Sequence, residues 1–434
     1  MKLIGHVQRC YRLFLCSLIT CCMGLVAAPG PLAYGQDVTR RPADDSQPAD
    51  QQPEQEAATE TTQDEDPQPV PGYGFQIIEQ IDVTPVKSQD RTGTCWSFAT
   101  ASFLESEMIR LGHEPQNLSE MFVVRNIYRD KAFNYVHRNG KANFSEGALA
   151  HDYINAARRH GLVPEQVYSG LLPGQSQHNH SEMVGLLTAI VETMAKSRNP
   201  SDRWSRAFDK ILDVYLGEVP EQFEYQGNSH TPQSFAASLD FDAKNYVSLT
   251  SFSHHPFHES FVLEIPDNFS NGSFYNVPID ELVETIDRAI EQGYSVAWDG
   301  DVSERGFDRS RGIAVLNKSG RPSDEPEEEK EITQQMRQTT FESHDTTDDH
   351  LMHLVGIARD KNGKKYYLIK NSWGEVGKYD GYLYMSEAYV RLKTIAIMVH
   401  KDIVHREMVR QESAPVEDAS GDTAQQDPQE QLMD

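Results

Sequence analysis

Cysteine is scarce in this chain. Four of its five cysteines, Cys10, Cys16, Cys21 and Cys22, fall within the first 22 of 434 residues. Past that point Cys95 stands alone, with no disulfide partner and no second thiolate to share a metal. Stability must then come from a buried core rather than from cross-links. Basic residues are also in short supply: 40 Lys and Arg face 66 Asp and Glu, a formal net charge of −26. That balance argues against nucleic-acid binding, which needs a concentrated basic face. The apolar run at 13–28 is short for a membrane-spanning helix.

Lys2, Arg9 and Arg12 precede that run, and Ala33-Tyr34-Gly35, a small-x-small pattern, follows it. Residues 1–35 are therefore expected to be a cleaved signal peptide, with the protein exported to a periplasm or secreted. An uncleaved membrane anchor is the second reading. Residues 36–71 and 411–434 are acidic and poor in large apolar side chains, as is a patch at 324–331. Such segments bury too little surface to offset their ordering entropy and are expected to be disordered. The folded body should span residues 72–410, long enough for a large core.

Within that body, apolar residues recur at helical spacing over 95–111, with Gly112 as a stop, and over 147–160, ending at Gly161. Ser119-Glu120 suits the first turn of another helix, and 182–196, 202–216 and 277–293 read as three more. Strands are expected at 294–298, 350–358, 365–370 and 382–385, with Asp360-Lys361-Asn362-Gly363 as a hairpin turn. The fold class is α+β. His254, His255 and His258 cluster without a neighbouring cysteine or carboxylate at ligand spacing and are read as structural. His178-Asn179-His180 reads as a solvated loop. No metal and no cofactor are expected.

Cys95 follows the glycine turn Thr92-Gly93-Thr94 and opens the first of these helices. A buried free cysteine is often only a small hydrophobe. A sulfur at a helix N-terminus, however, meets the partial positive charge that favours a thiolate nucleophile. Such a nucleophile needs a base, and the base an orienting group. Far downstream, Asp348-Asp349-His350-Leu351-Met352-His353 offers two histidines, and Lys370-Asn371-Ser372-Trp373-Gly374 an amide.

These motifs together resemble the papain superfamily of cysteine peptidases. Its local signature around the nucleophile is C-G-[SA]-C-[WY]. Here Thr92-Gly93-Thr94-Cys95-Trp96 lacks the first cysteine and carries threonine in place of Ser/Ala. The resemblance implies a two-lobed fold, a helical lobe beside an antiparallel, β-barrel-like lobe. It implies Cys95 as nucleophile, Gln89 as an oxyanion donor, His350 as base and Asn371 as its orienter. His350 is preferred to His353 because it stands six residues before Gly356. Trp373 would shield the His350–Asn371 bond from water, and Gly147, Glu146 and Asp349 would meet the substrate.

Further motifs, Thr231-Pro232-Gln233-Ser234-Phe235, His255-Pro256-Phe257 and Gly300-Asp301-Val302 among them, resemble bleomycin hydrolase and aminopeptidase C. That resemblance adds a largely helical insertion at about 171–290 and implies aminopeptidase action on peptides or proteins, and a homo-hexamer. The long acidic C-terminal segment departs from that family, whose C-terminus folds into the cleft. An endopeptidase of the same fold, or a catalytically silent peptide-binding protein, is the alternative.

Overall fold

The structure, a computed structural model, describes residues 72–404. The expected signal peptide (1–35), acidic linker (36–71) and tail (411–434) lie outside the described residues. Among the described residues no helix is long and apolar enough to cross a membrane.

Strand β1 (Gln76–Gln80) leads through a loop to helix α1 (Cys95–Arg110). Helices α2 (Glu120–His137) and α3 (Ala150–His160) follow, α2 capped by the Ser119 hydroxyl, which accepts the Phe122 N–H. Next come α4 (Ser181–Ala195), α5 (Arg203–Leu216), the hairpin β2 (Phe223–Tyr225) and β3 (Asn228–His230), and α6 (Pro232–Ser238). The chain then alternates: β4 (Tyr246–Thr250), β5 (Ser260–Val262), β6 (Ser273–Asn276), α7 (Ile279–Glu291), β7 (Val296–Gly300), β8 (Phe307–Asp308) and β9 (Ile313–Ala314). It closes with α8 (Gln334–Glu342), β10 (His350–Arg359), β11 (Lys365–Lys370), β12 (Tyr382–Ser386), α9 (Glu387–Lys393) and β13 (Thr394–His400). The segment expected as a helical insertion holds α4 to α6, yet its β4 and β6 enter the main sheet.

That sheet runs β5-β6-β4-β13-β7-β10-β11-β12-β9-β8, with β1 added on β10. Its pairs are antiparallel except β4–β6 and β12–β9. The expected barrel-like lobe is thus an open, largely antiparallel sheet whose described strands do not close on themselves. Strand β10 is central: its first half pairs with β7, its second with β1, and its other edge with β11. The register shifts between Leu354 and Gly356, where a Cβ at Gly356 would come within 2.6 Å of the Glu79 carbonyl. Only glycine allows β1 to approach that closely.

Alternate residues of β7, β10 and β13 face different cores. Ala297, Leu351, Ala396 and Met398 pack with α1 to α6, whereas Trp298, Met352, Ile397 and Val399 pack with α7 and α9. Strands buried on both faces read as continuous apolar runs rather than alternating ones. Helix α7 shows the one-sided pattern, burying Ile279, Leu282, Val283, Ile286, Ala289 and Ile290.

Helix α1 lies against β10 and is buried from Cys95 to Met108, including Glu105. Glu105 Oε1 accepts the Leu118 N–H at 2.8 Å and Lys87 Nζ at 3.1 Å, and Lys87 also reaches Glu120 Oε1 at 2.6 Å. This ion cluster pins the loop before Cys95 to α1 and α2; losing one partner of so buried a set costs roughly 3–5 kcal/mol.

The acidic patch at 324–331, expected to be disordered, is held in place. Leu316 N–H and Ser386 Oγ donate to Glu329 at 2.6 Å, Lys364 and Lys361 pair with Glu329 and Glu325, and Lys318 reaches Glu328 at 2.6 Å. The patch carries almost no cations of its own, but distant segments supply them.

Candidate active site

Cys95 opens α1 at the wall of a cavity of about 440 Å³ that Gln89, Gly147, Asp349, His350 and Trp373 also line. A larger concavity of about 670 Å³ beside α7 and α9 is lined by charged pairs and holds neither thiol nor imidazole. The chemistry is concentrated in the smaller one.

The loop before α1 is stitched to the segment carrying Asn371. Gln89 N–H donates to the Ser372 carbonyl at 2.8 Å, and Gly374 N–H to the Lys87 carbonyl at 3.0 Å. The Gln89 side chain is fixed at both ends, with Oε1 accepting Ser372 Oγ at 2.8 Å and Nε2 donating to the Thr92 carbonyl at 2.7 Å. An amide nitrogen carries two hydrogens, so one remains for an oxyanion. The Cys95 N–H, at the first helical position, has no intrahelical acceptor.

His350, at the first residue of β10, is buried, and its Nε2 lies 2.8 Å from Asn371 Oδ1. The Trp373 ring stacks on the imidazole at 4.6 Å between centroids. His353 sits elsewhere, fully buried under α1 with Nδ1 2.9 Å from Ser102 Oγ. The fold therefore brings Cys95, His350, Asn371, Gln89 and Trp373 together and leaves His353 in the core.

The three expected substrate contacts divide. Gly147 lines the cavity, and its carbonyl accepts from Lys131 Nζ. A Cβ there would collide with the carboxylate of Asp267, which lies over the Gly147 backbone. Asp349 also lines the cavity, where its Oδ1 accepts the Val302 N–H at 2.9 Å. Glu146 is not among the lining side chains. Its carboxylate accepts the Gly93 N–H at 2.7 Å and its carbonyl the Trp96 indole N–H at 2.9 Å, so it clamps the loop before Cys95.

Burial opposes the helix terminus at the thiol. Burial pushes the Cys95 thiol up to about 12, against a backbone hydrogen bond at Leu351, and the charges of Asp348, Asp299 and Asp267 add to the rise. Burial likewise holds His350 down to about 4 against its bond to Asn371. Burial thus works against the charged form of each group, in opposition to the helix terminus at Cys95.

The profile of the Peptidase C1-like family matches residues 147–422, more than half of the chain. The chain belongs to this family. Consistently, the profile of the papain family of cysteine proteases matches residues 75–183, the stretch that holds Gln89 and Cys95. This peptidase is 25% identical to aminopeptidase G of Lactobacillus delbrueckii over 364 residues, 73% of this chain and 80% of that one. It is 23% identical to aminopeptidase C of Listeria monocytogenes over 369 residues, 74% and 81% of the two chains. Cysteine proteinase 1, mitochondrial, of Saccharomyces cerevisiae is 22% identical over 378 residues, 75% and 76%. PepW from Lactobacillus rhamnosis has a similar fold, with a TM-score of 0.62 at 20% identity over 77% of this chain and 84% of that one.

Two further readings of this cysteine peptidase are corrected. His178 and His180 are buried, not solvated: His178 N–H donates to Asp90 Oδ2 at 3.0 Å, and His180 Nδ1 lies 3.0 Å from the Tyr128 hydroxyl. His254 and His255 do have a carboxylate beside them, because Glu264 folds back to place its oxygens 3.2 and 2.8 Å from their Nε2 atoms. Sequence reasoning also missed Asp267 and Asp299. Neither has a local motif, and each reaches the thiol's surroundings only through the fold.

Proposed function

We propose that this cysteine peptidase is an aminopeptidase that removes residues from peptide N-termini, with Cys95 as nucleophile. The observation that carries the catalytic assignment is the His350–Asn371 hydrogen bond under Trp373, in the cavity that Cys95 lines. With Nε2 committed to Asn371, Nδ1 is the ring nitrogen left to accept the thiol proton. The sulfur then bonds to the scissile carbonyl carbon while the oxyanion takes hydrogen bonds from the Cys95 N–H and the spare Gln89 N–H. His350 returns the proton to the leaving amine, and a thioester remains. Water, deprotonated by His350, displaces the sulfur, which recovers the proton.

Aminopeptidase action rests on the curated relatives, two of which are named aminopeptidases. The test is hydrolysis of leucyl, N-acetyl-leucyl and internally quenched peptide substrates by the wild type and Cys95→Ala. Turnover of the free-amine substrate that disappears in Cys95→Ala supports the reading. Internal cleavage alone favours an endopeptidase, and no turnover with any substrate favours a silent peptide-binding protein.

Two wider expectations join the proposal. Export rests on the apolar run at 13–28 and its flanks, and N-terminal sequencing of the mature protein tests it. A homo-hexamer rests on the resemblance to bleomycin hydrolase, and light scattering tests that.

A further inference from the structure

The cavity beside Cys95 is strongly negative. Asp267 follows β5, Asp348 precedes β10, and Asp299 lies on β7, yet all three act on the same thiol. Asp299 is only 4% exposed, and both of its oxygens lack a hydrogen-bond donor. Asp348 Oδ2 lacks one too. Burial, and then the charge of Asp348, pushes Asp299 well up from the ordinary carboxylate range. The donors to Asp267, Asn143 Nδ2 at 2.9 Å and Ser145 Oγ at 3.3 Å, both use Oδ1. Its Oδ2 is the atom nearest the space over Gly147.

A buried carboxylate is normally paired. The nearby cation, Lys131, is itself fully buried and committed to Ser145 Oγ at 3.1 Å and the Gly147 carbonyl. It cannot pair with Asp267, Asp299 and Asp348 together. The site is short of positive charge on the side of the cavity where Asp267 closes over the backbone. The same closure removes room for an extended chain running past Gly147, because the glycine's carbonyl and face are both occupied.

We propose that Asp267 and Asp348, backed by Asp299, form a subsite for a substrate ammonium group, namely the free α-ammonium of the peptide's N-terminal residue. The assignment rests on the peptidase reading above and names what would make it an exopeptidase. A primary ammonium brings a charge and donors to the oxygens of Asp299 and Asp348 that lack a donor and to the Asp267 Oδ2 that Asn143 and Ser145 leave free. A chain that ends at Asp267 places its first peptide bond next to Cys95. Entry of the ammonium also offsets the negative field that raises the thiol, so a correctly ended substrate favours the reactive thiolate. A side-chain ammonium one residue upstream is the other source of the same chemistry.

The test separates binding from turnover. Cys95→Ala protein is titrated calorimetrically with Leu-Leu-Leu-amide, its N-acetyl form, and N-acetyl-Lys-Leu-Leu-amide, alone and combined with Asp267→Asn or Asp348→Asn. Sites built around a buried polar contact discriminate by large factors. The free-amine peptide should therefore bind on the order of 10²-fold tighter than the acetylated one, and each Asp→Asn change should cut that ratio about tenfold or more. Circular dichroism checks that the variants fold. Equal binding of free and acetylated peptides, or a ratio unchanged in both folded variants, overturns the subsite. Preference for the N-acetyl-Lys peptide overturns the α-ammonium assignment in favour of a side-chain one. Because the readout is binding, a protein that binds the free amine but shows no wild-type turnover refutes the peptidase reading and leaves the subsite standing.

Discussion

His350 Nε2 and the Ser372 N–H converge on one atom, Asn371 Oδ1, at 2.8 and 2.7 Å. A backbone N–H can only donate, so the atom it meets must be the amide oxygen. Nε2 must then be the protonated nitrogen, and Nδ1 carries the lone pair. The tautomer suited to receive a thiol proton follows from the position of a single backbone amide.

Removing that acceptor should therefore damage rate more than binding. Asn371→Ala is expected to lower kcat roughly 10²-fold with KM little changed, because the imidazole survives but loses its tautomer and orientation. A kcat within threefold of wild type would remove Asn371 from the mechanism.

The two histidines of β10 should separate cleanly. His350→Ala is expected to cost on the order of 10³-fold or more in kcat and little stability. His353 is fully buried and bonded to Ser102, and it plays no part in the cavity. His353→Ala should cost about 1–3 kcal/mol of stability, from a lost hydrogen bond and a small void, while the folded fraction retains most of its activity. Thermal unfolding beside a rate assay measures both, and reversed outcomes would exchange their roles.

That division was legible in the sequence because its signals are local. Gly93 before Cys95 and the 360–363 turn each lie within a few residues of what they determine, and the family resemblance picks out His350 by its spacing from Gly356. β13 left no comparable mark: Thr394–His400 follows α9 without a turn and is buried on both faces, so neither alternation nor a boundary sets it off. Asp267 and Gly147 stand 120 positions apart, and nothing local to either predicts that one carboxylate will cover the other's backbone. The thiol's environment escaped for a related reason. A helix terminus is visible in sequence, whereas burial beside Asp348, Asp299 and Asp267 is a property of the folded cleft.

Glu146 supplies a prediction that contrasts with its expected role. Its carboxylate holds the Gly93 N–H, two residues before the nucleophile. Glu146→Ala should loosen the loop that carries Gln89 and the Cys95 N–H, lowering kcat about tenfold and stability by about 1–2 kcal/mol. A variant with a raised KM and an unchanged kcat would instead return Glu146 to the substrate.

The unpaired carboxylates should also make stability depend on pH in a set direction. Burial, then the charge of Asp267, pushes Asp348 up from the ordinary carboxylate range to about 7. The folded state thus holds this proton more tightly than the unfolded chain does. Its contribution to stability is fully present below the unfolded pKa and is lost as pH rises through about 7. Asp348→Asn keeps the shape and removes the titration, so the variant should match wild type at low pH and exceed it above neutrality. The full shift sets a ceiling of roughly 4 kcal/mol. Because Asp348 is partly exposed and its charge acts on Asp299 as well, a gain on the order of 1–2 kcal/mol at pH 8 is expected. Melting temperatures of both proteins at pH 4.5 and pH 8 decide the matter. A gain that is equal at both values, or larger in acid, would mean that Asp348 is already paired in the empty cleft.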